Sequence, residues 1–325
     1  VLPWNVRAQG SVVVPVEEKS TLDRGADLQQ RIRENLFIRV ETDKQQCYAG
    51  EGIRVTYKLY TRLKAHSQII RRPSWSGCSV VDMVENYDAA PGIEQLNGKY
   101  YYVHLIRQAH LFPLQSGPLS LDAAEVESTL YFSLGTDVRP AEFPGLRKGA
   151  NGDYVYTTNI ASRAFPIEVK ALPSYKGEEL SGAIGDFTLR TEAVTPLAER
   201  GSLYQVKLTI SGEGNFPLLV PPPIPPVNAV KLTAPDVQER LERESFPLKG
   251  EKSFTYTLTV PDQDSLVFPS VSWIYFDPDE GRYKRVTSNK LVVPVAATSS
   301  KTVSPKESVS DPVQLSYYKF IAYGI

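Results

Sequence analysis

SGAIGDF (residues 181–187) and ISGEGN (210–215) bound the stretch that organises the chain, and YQVKLTI (204–210) decides the fold. Tyr204, Val206, Leu208 and Ile210 alternate with Gln205, Lys207 and Thr209, the two-residue period of a strand with one dry face. Downstream, Phe254, Tyr256, Leu258 and Val260 alternate with Ser253, Thr255, Thr257 and Thr259. Val271, Trp273 and Tyr275 follow, and Leu291, Val293 and Val295 close the series. Upstream, the same period runs through Ile53, Val55, Tyr57 and Leu59, through Tyr101, Val103 and Leu105, and through Phe165, Ile167 and Val169. Breaks such as PSWSG (73–77) and FPLQSG (112–117) separate the runs at turn-like spacing.

The two halves repeat one plan. VTYKLY (55–60) lies over YQVKLT (204–209), LFPLQSGPLSL (111–121) falls near LTVPDQDSLVFP (258–269), and each half ends in a strand of the form I-x-V or V-x-V. A repeat of about 150 residues is too long for a solenoid unit and reads as a duplicated domain. Many short strands without crossover helices predict an all-β chain of two tandem immunoglobulin-like antiparallel β-sandwiches, over 36–173 and 178–297.

Composition agrees. The 325 residues are enough for two cores. Lys plus Arg number 36 against 37 Asp plus Glu, for a net charge of -1, which lacks the basic footprint of a nucleic-acid binder. The chain has 25 prolines and 18 tyrosines but three histidines, a balance that favours strands and turns. Its two cysteines, Cys47 and Cys78, are too few for a structural zinc site; they form either one disulfide or two free thiols.

The flanks read differently. VLPWNVRA (1–8) resembles the end of a secretory signal, with Val6 and Ala8 at the small-residue positions. Residues 9–35 are expected to be a linker with a short helix within Ser20–Asn35, capped by Ser20 or Thr21, because Leu22, Leu28, Ile32 and Leu36 recur at near-helical spacing. Serine-rich 298–312 marks a flexible tether. VQLSYYKFIAYGI (313–325) suits the interfacial start of a membrane span.

No GxSxG, HExxH or P-loop motif is present. Gly212-x-Gly214 leads into proline rather than a helix, so it does not read as a dinucleotide fingerprint. His104 and His110 have no third ligand in view and read as structural. Asp277, Asp279 and Glu280 before Gly281 make a polar hairpin turn, too short for a calcium shell. PLLVPPPIPP (217–226) reads as an edge strand and its connection. Tyr131 to Arg163 reads as a long insertion bearing Tyr154 and Tyr156, a candidate binding surface. No cofactor and no catalytic residue is expected.

SGAIGDF, ISGEGN, LKGEKSFTYTL (248–258) and SWIYFDPDEGRYK (272–284), with LFIRVETDK (36–44), YAGEGIRVTYKLYTRL (48–63) and LFPLQSG (111–117), resemble the BatD family. The resemblance covers about residues 36–296, in order through both halves. It implies an exported, non-enzymatic, membrane-tethered scaffold of the Bat aerotolerance systems of Bacteroidetes, periplasmic and anchored to the inner membrane. Its implied partners are von Willebrand A domain membrane proteins of the BatA and BatB type and, indirectly, a MoxR-type AAA+ ATPase. The chain departs from the family at Gly77-Cys78, where members tend to have Gly-Phe, and 9–35 is too short to be the extra domain of longer members.

A von Willebrand A domain often leaves its Mg²⁺ shell open to a partner carboxylate. Asp262, Asp264, Asp277 and Asp279, in two turns of the second domain, are the candidate donors. The other reading is a carbohydrate or peptidoglycan binding module using Tyr154 and Tyr156.

Overall fold

The computed structural model describes residues 20–84, 90–176, 180–227 and 232–296. The expected signal remnant (1–8), tether (298–312) and span start (313–325) lie outside them. Among the described residues no helix is long and apolar enough to cross a membrane.

The chain is all-β, two immunoglobulin-like antiparallel β-sandwiches in tandem. In the first, Ile53–Thr61 lies between Leu36–Thr42 and the long strand Lys99–Pro113. That strand pairs with Gly92–Leu96 at its start and with Cys78–Asp82 at its end. The facing sheet sets Glu125–Leu134 between Ala65–Arg71 and Tyr154–Ala161. Val55, Tyr57 and Leu59 meet Val126, Leu130 and Phe132 in the core between the sheets. The one polar atom of Tyr57 is satisfied there, its hydroxyl donating to the Asp122 carbonyl at 2.7 Å. On the outer face, Phe37, Tyr60 and Tyr101 form a small aromatic cluster with Val103, Phe37 stacking on Tyr60 at 5.2 Å.

The second sandwich sets Gly185–Ala193, Leu203–Gly214, Lys249–Thr259 and Asp236–Glu242 side by side. Opposite run the hairpin Ser272–Asp277/Arg282–Thr287 and the pair Ser265–Phe268/Leu291–Ala296. Tyr204, Val206, Leu208 and Ile210 point inward, as their alternation predicts, onto Phe254, Phe268 and Trp273.

Four expectations are corrected. The linker over 9–35 does not extend through its described part: Thr21–Leu22 pairs in parallel with Ser133 and Leu134, and Leu22, Leu28, Ile32 and Leu36 are buried in the first core. The helix is shorter than expected, Leu28–Asn35, because Gly25 turns the chain at φ +76° and Asp27 supplies the cap, accepting from the Gln30 N–H at 3.0 Å. The insertion from Tyr131 to Arg163 is not loop throughout: its ends are strand, Tyr154–Ala161 pairing with Glu125 to Phe132, and its middle, 135–153, carries a 3₁₀ turn at Pro140–Glu142 and the short strand Arg147–Lys148. The proline run forms a short 3₁₀ turn at Phe216–Leu218 and then no strand, prolines having no N–H to give a ladder.

Ile32→Ala is expected to cost the first domain about 2–4 kcal/mol, the range for emptying a core position. Urea unfolding checks it; a helix serving only as a linker would leave the midpoint unmoved.

Candidate functional site

The glycines of SGAIGDF and ISGEGN serve a close approach of two backbones. A Cβ on Gly185 would lie 2.1 Å from the Glu213 carbonyl oxygen, and one on Gly214 would lie 2.3 Å from that of Ile184. Both residues have φ near +150°, a conformation that side chains disfavour. The next residue, Asn215, is fully buried. Its side-chain oxygen accepts from the Ile184 N–H at 2.9 Å and its amide donates to the Gly182 carbonyl at 3.0 Å. The asparagine thereby ties the head of the second domain to the end of the strand Leu203–Gly214.

The first domain seats itself on this knot. A Cβ on Gly50 would fall 2.8 Å from Ile184 Cδ1, and the Gly50 N–H donates to the Pro113 carbonyl at 2.6 Å. Tyr48 meets Phe276 edge-on at 4.8 Å. Phe112, at the end of a first-domain strand, belongs to the core of the second. Beside it His110 is fully buried, its Nε2–H donating to the Arg243 carbonyl at 2.9 Å, which leaves Nδ1 without a partner among the described residues. The ring stacks on Phe246 at 5.7 Å, and the Arg54 guanidinium covers the other ring at 4.9 Å.

A small cleft of about 100 Å³ opens where these elements meet. Lys44 and Glu51 line it from the first domain, and Asp186, Glu213, Asp277 and Asp279 from the second. All of these acids except the exposed Asp279 are committed, Glu213 to Lys249 at 2.9 Å. Glu51 takes the Lys44 ammonium at 2.5 Å and the Tyr48 N–H at 2.7 Å, and Asp186 accepts from the Tyr275 hydroxyl at 3.0 Å. Asp277 is 5% exposed and accepts from the N–H groups of Asp279 and Glu280 and from Lys284 Nζ at 2.6 Å. Burial pushes the Asp277 carboxyl up; Lys284 and the two amides outweigh that and hold it below the ordinary range. Among the described residues no three His, Cys, Asp or Glu side chains group to hold a metal.

The sequence-predicted site residues are dispersed. Asp277 and Asp279 sit at the cleft, at the end where Leu203–Gly214 finishes. Asp262 and Asp264 lie beside Gly201 and Val260, where that strand begins, so the two turns face opposite ends of the domain. Both of the latter carboxylates are exposed and share Arg200, at 2.8 and 2.6 Å. Asp277 is withdrawn as a partner donor because it is the buried cap of its own hairpin turn. Tyr156 packs on the first core, accepts from Gln29 at 2.7 Å, and lies against Gly145; Tyr154 is half-buried on the same strand. Cys47 and Cys78 are free thiols against one core. Burial pushes them up to about 12 and about 11, so both stay protonated at neutral pH. Asn215, His110 and Phe246 were missed as joint residues; GEGN carried the only signal, its asparagine following the two glycines directly.

The geometry defines a two-domain β-sandwich protein with a built joint. No protein-family model and no curated protein matches the chain. Collagen adhesin (CNA) from S. aureus is similar over 80% of this chain and 95% of its own, at 9% identity and a TM-score of 0.17, a likeness too slight to bear on fold or function.

Burial pushes the His110 pKa down, the bond to Arg243 opposes it, and Arg54 adds to the fall. Below the ordinary pKa of about 6.5 the unfolded chain therefore binds a proton that the folded one refuses, and stability drops as pH falls. Urea titrations are expected to show a smaller loss between pH 7.5 and 5.5 for His110→Leu than for the parent, although the variant starts lower at pH 7.5.

Proposed function

We propose that this chain is a non-enzymatic, exported and membrane-tethered interaction protein of the BatD type, docking von Willebrand A domain membrane proteins in the periplasm. The observation that carries the reading is where the family-like stretches fall. Every one of them contributes to the joint: Lys44, Glu51, Phe112, Ile184, Gly214, Leu248 and Asp277 come one from each. A joint that recruits all the distinctive motifs, with its acids and bases paired apart from the exposed Asp279, suits a protein whose task is to hold two domains in a fixed relation for a partner.

The exposed pair Asp262 and Asp264 stands at the far end of the second domain from that joint. A carboxylate there, exposed although paired with Arg200, can exchange that ion pair for the open metal position of an A domain, whereas Asp277 is buried in its own turn. Crosslinking and affinity capture from native membranes with the full chain as bait are expected to recover A-domain proteins. Asp262→Asn with Asp264→Asn is expected to weaken the metal-dependent part about tenfold, equivalent to about 1.4 kcal/mol. Capture that survives both the double change and chelation rejects the carboxylate bridge; capture of cell-wall fragments alone rejects the scaffold.

A further inference from the structure

The cleft at the joint owes its walls to glycines. A Cβ on Gly52 would come 2.9 Å from the Phe112 ring, and Gly185 and Gly214 have no room for one. These three positions leave bare backbone where side chains would otherwise fill the space. Phe112, Ile184 and Leu248 are buried and form an apolar floor, with the Phe246 ring beside them. The volume of about 100 Å³ is below the range of drug-sized ligand sites and suits one long side chain.

The rim is anionic. Five carboxylates line the cleft, and three of them have an ammonium: Glu51 has Lys44 at 2.5 Å, Glu213 has Lys249 at 2.9 Å and Asp277 has Lys284 at 2.6 Å. Asp186 accepts from the neutral Tyr275 hydroxyl. Asp279 acts on Lys44 only through space, that ammonium being bonded to Glu51. Both residues are exposed, and neither carboxylate has an ion-pair partner among the described residues. The cleft therefore carries an excess of two negative charges above an apolar floor. A recess lined by one sign of charge gathers ions of the other.

We propose that the cleft receives an arginine side chain of a different protein, its methylenes on the floor and its guanidinium at Asp186 and Asp279. An aliphatic stem under a cationic head is the shape a basic side chain brings to such a surface. Arginine suits it better than lysine, because a planar fork of N–H donors serves two carboxylates and gives up its hydration more readily. The inference takes from the interaction-protein reading only that the occupant is a protein. It is a second contact, at the opposite end of the domain from Asp262 and Asp264.

The probe is propylguanidinium, the side chain of arginine, titrated into the full chain by nuclear magnetic resonance, with propylurea as the uncharged isostere. Saturable binding at one site is expected, shifting the amides of Gly52, Gly185 and Gly214, about fivefold tighter than propylurea at low salt. Asp279→Asn is expected to remove about half of that difference, and adding Asp186→Asn, which keeps an acceptor for Tyr275, removes the rest. Asp262→Asn with Asp264→Asn is expected to leave it unchanged. Acetyl-Gly-Arg-Gly-amide is expected to bind at least as tightly as propylguanidinium. Absence of saturable binding, equal affinity for propylurea, or an affinity that follows Asp262 and Asp264 rather than Asp279 would each overturn the proposal and leave the capture of A-domain proteins untouched. A peptide weaker than the free cation would make a free guanidinium compound the occupant. Self-association of the chain that propylguanidinium reverses would make it a second copy, and either outcome overturns the assignment to a different protein.

Discussion

A buried side-chain amide bonded to two backbone groups is the constraint on which the joint depends. Asn215 has no access to water, so its oxygen and its nitrogen need partners inside the protein, and Ile184 and Gly182 provide them. Those partners reach it only if the two strands run closer than side chains allow, which is why Gly185 and Gly214 stand where they do. Once the knot is tied, Ile184 is held against Gly50, and Phe276, whose N–H donates to the Ala183 carbonyl, is held against Tyr48. The seating of the first domain thus follows from a hydrogen-bonding requirement inside the second.

The charges around the cleft serve the same end. Lys44 and Glu51 belong to one domain, Asp277 and Lys284 to the other, and each pair is closed within its own domain at 2.5 and 2.6 Å. What crosses the boundary is largely apolar or aromatic: Tyr48 on Phe276, His110 on Phe246, Phe112 in the second core. Internally paired charges are insensitive to the partner domain, whereas shape-matched rings lose contact with a small displacement. The joint is therefore held by packing, with the ion pairs keeping its rim shaped.

The sandwiches were legible because alternation is a local signal: Ile53 to Leu59 and Tyr204 to Ile210 each declare a buried face within eight residues. The near-helical spacing of Leu22, Leu28, Ile32 and Leu36 was equally visible, but what covers those residues is a sheet a hundred positions later, and the charged surroundings suggested a linker. The glycines of the joint were visible as motifs and opaque as reasons, since the oxygen each avoids belongs to a distant strand. Likewise, DPDEG announced a turn, while the burial of Asp277 depends on Lys284 folding back over it. Nearby spacing was readable; the partner across space was not.

The strand Lys99–Pro113 ties distant parts of the molecule together. Its fifteen residues, at roughly 3.4 Å each, make a spar of about 50 Å. One end carries Tyr101 in the outer aromatic cluster, and the other delivers His110 and Phe112 into the neighbouring domain. An extended, laterally bonded backbone neither stretches nor shortens appreciably, so it transmits displacement along its axis with little loss. The same backbone that closes the Gly92–Leu96 hairpin therefore runs on to the residues that seat the second domain, so a displacement of one end is passed along it to the other.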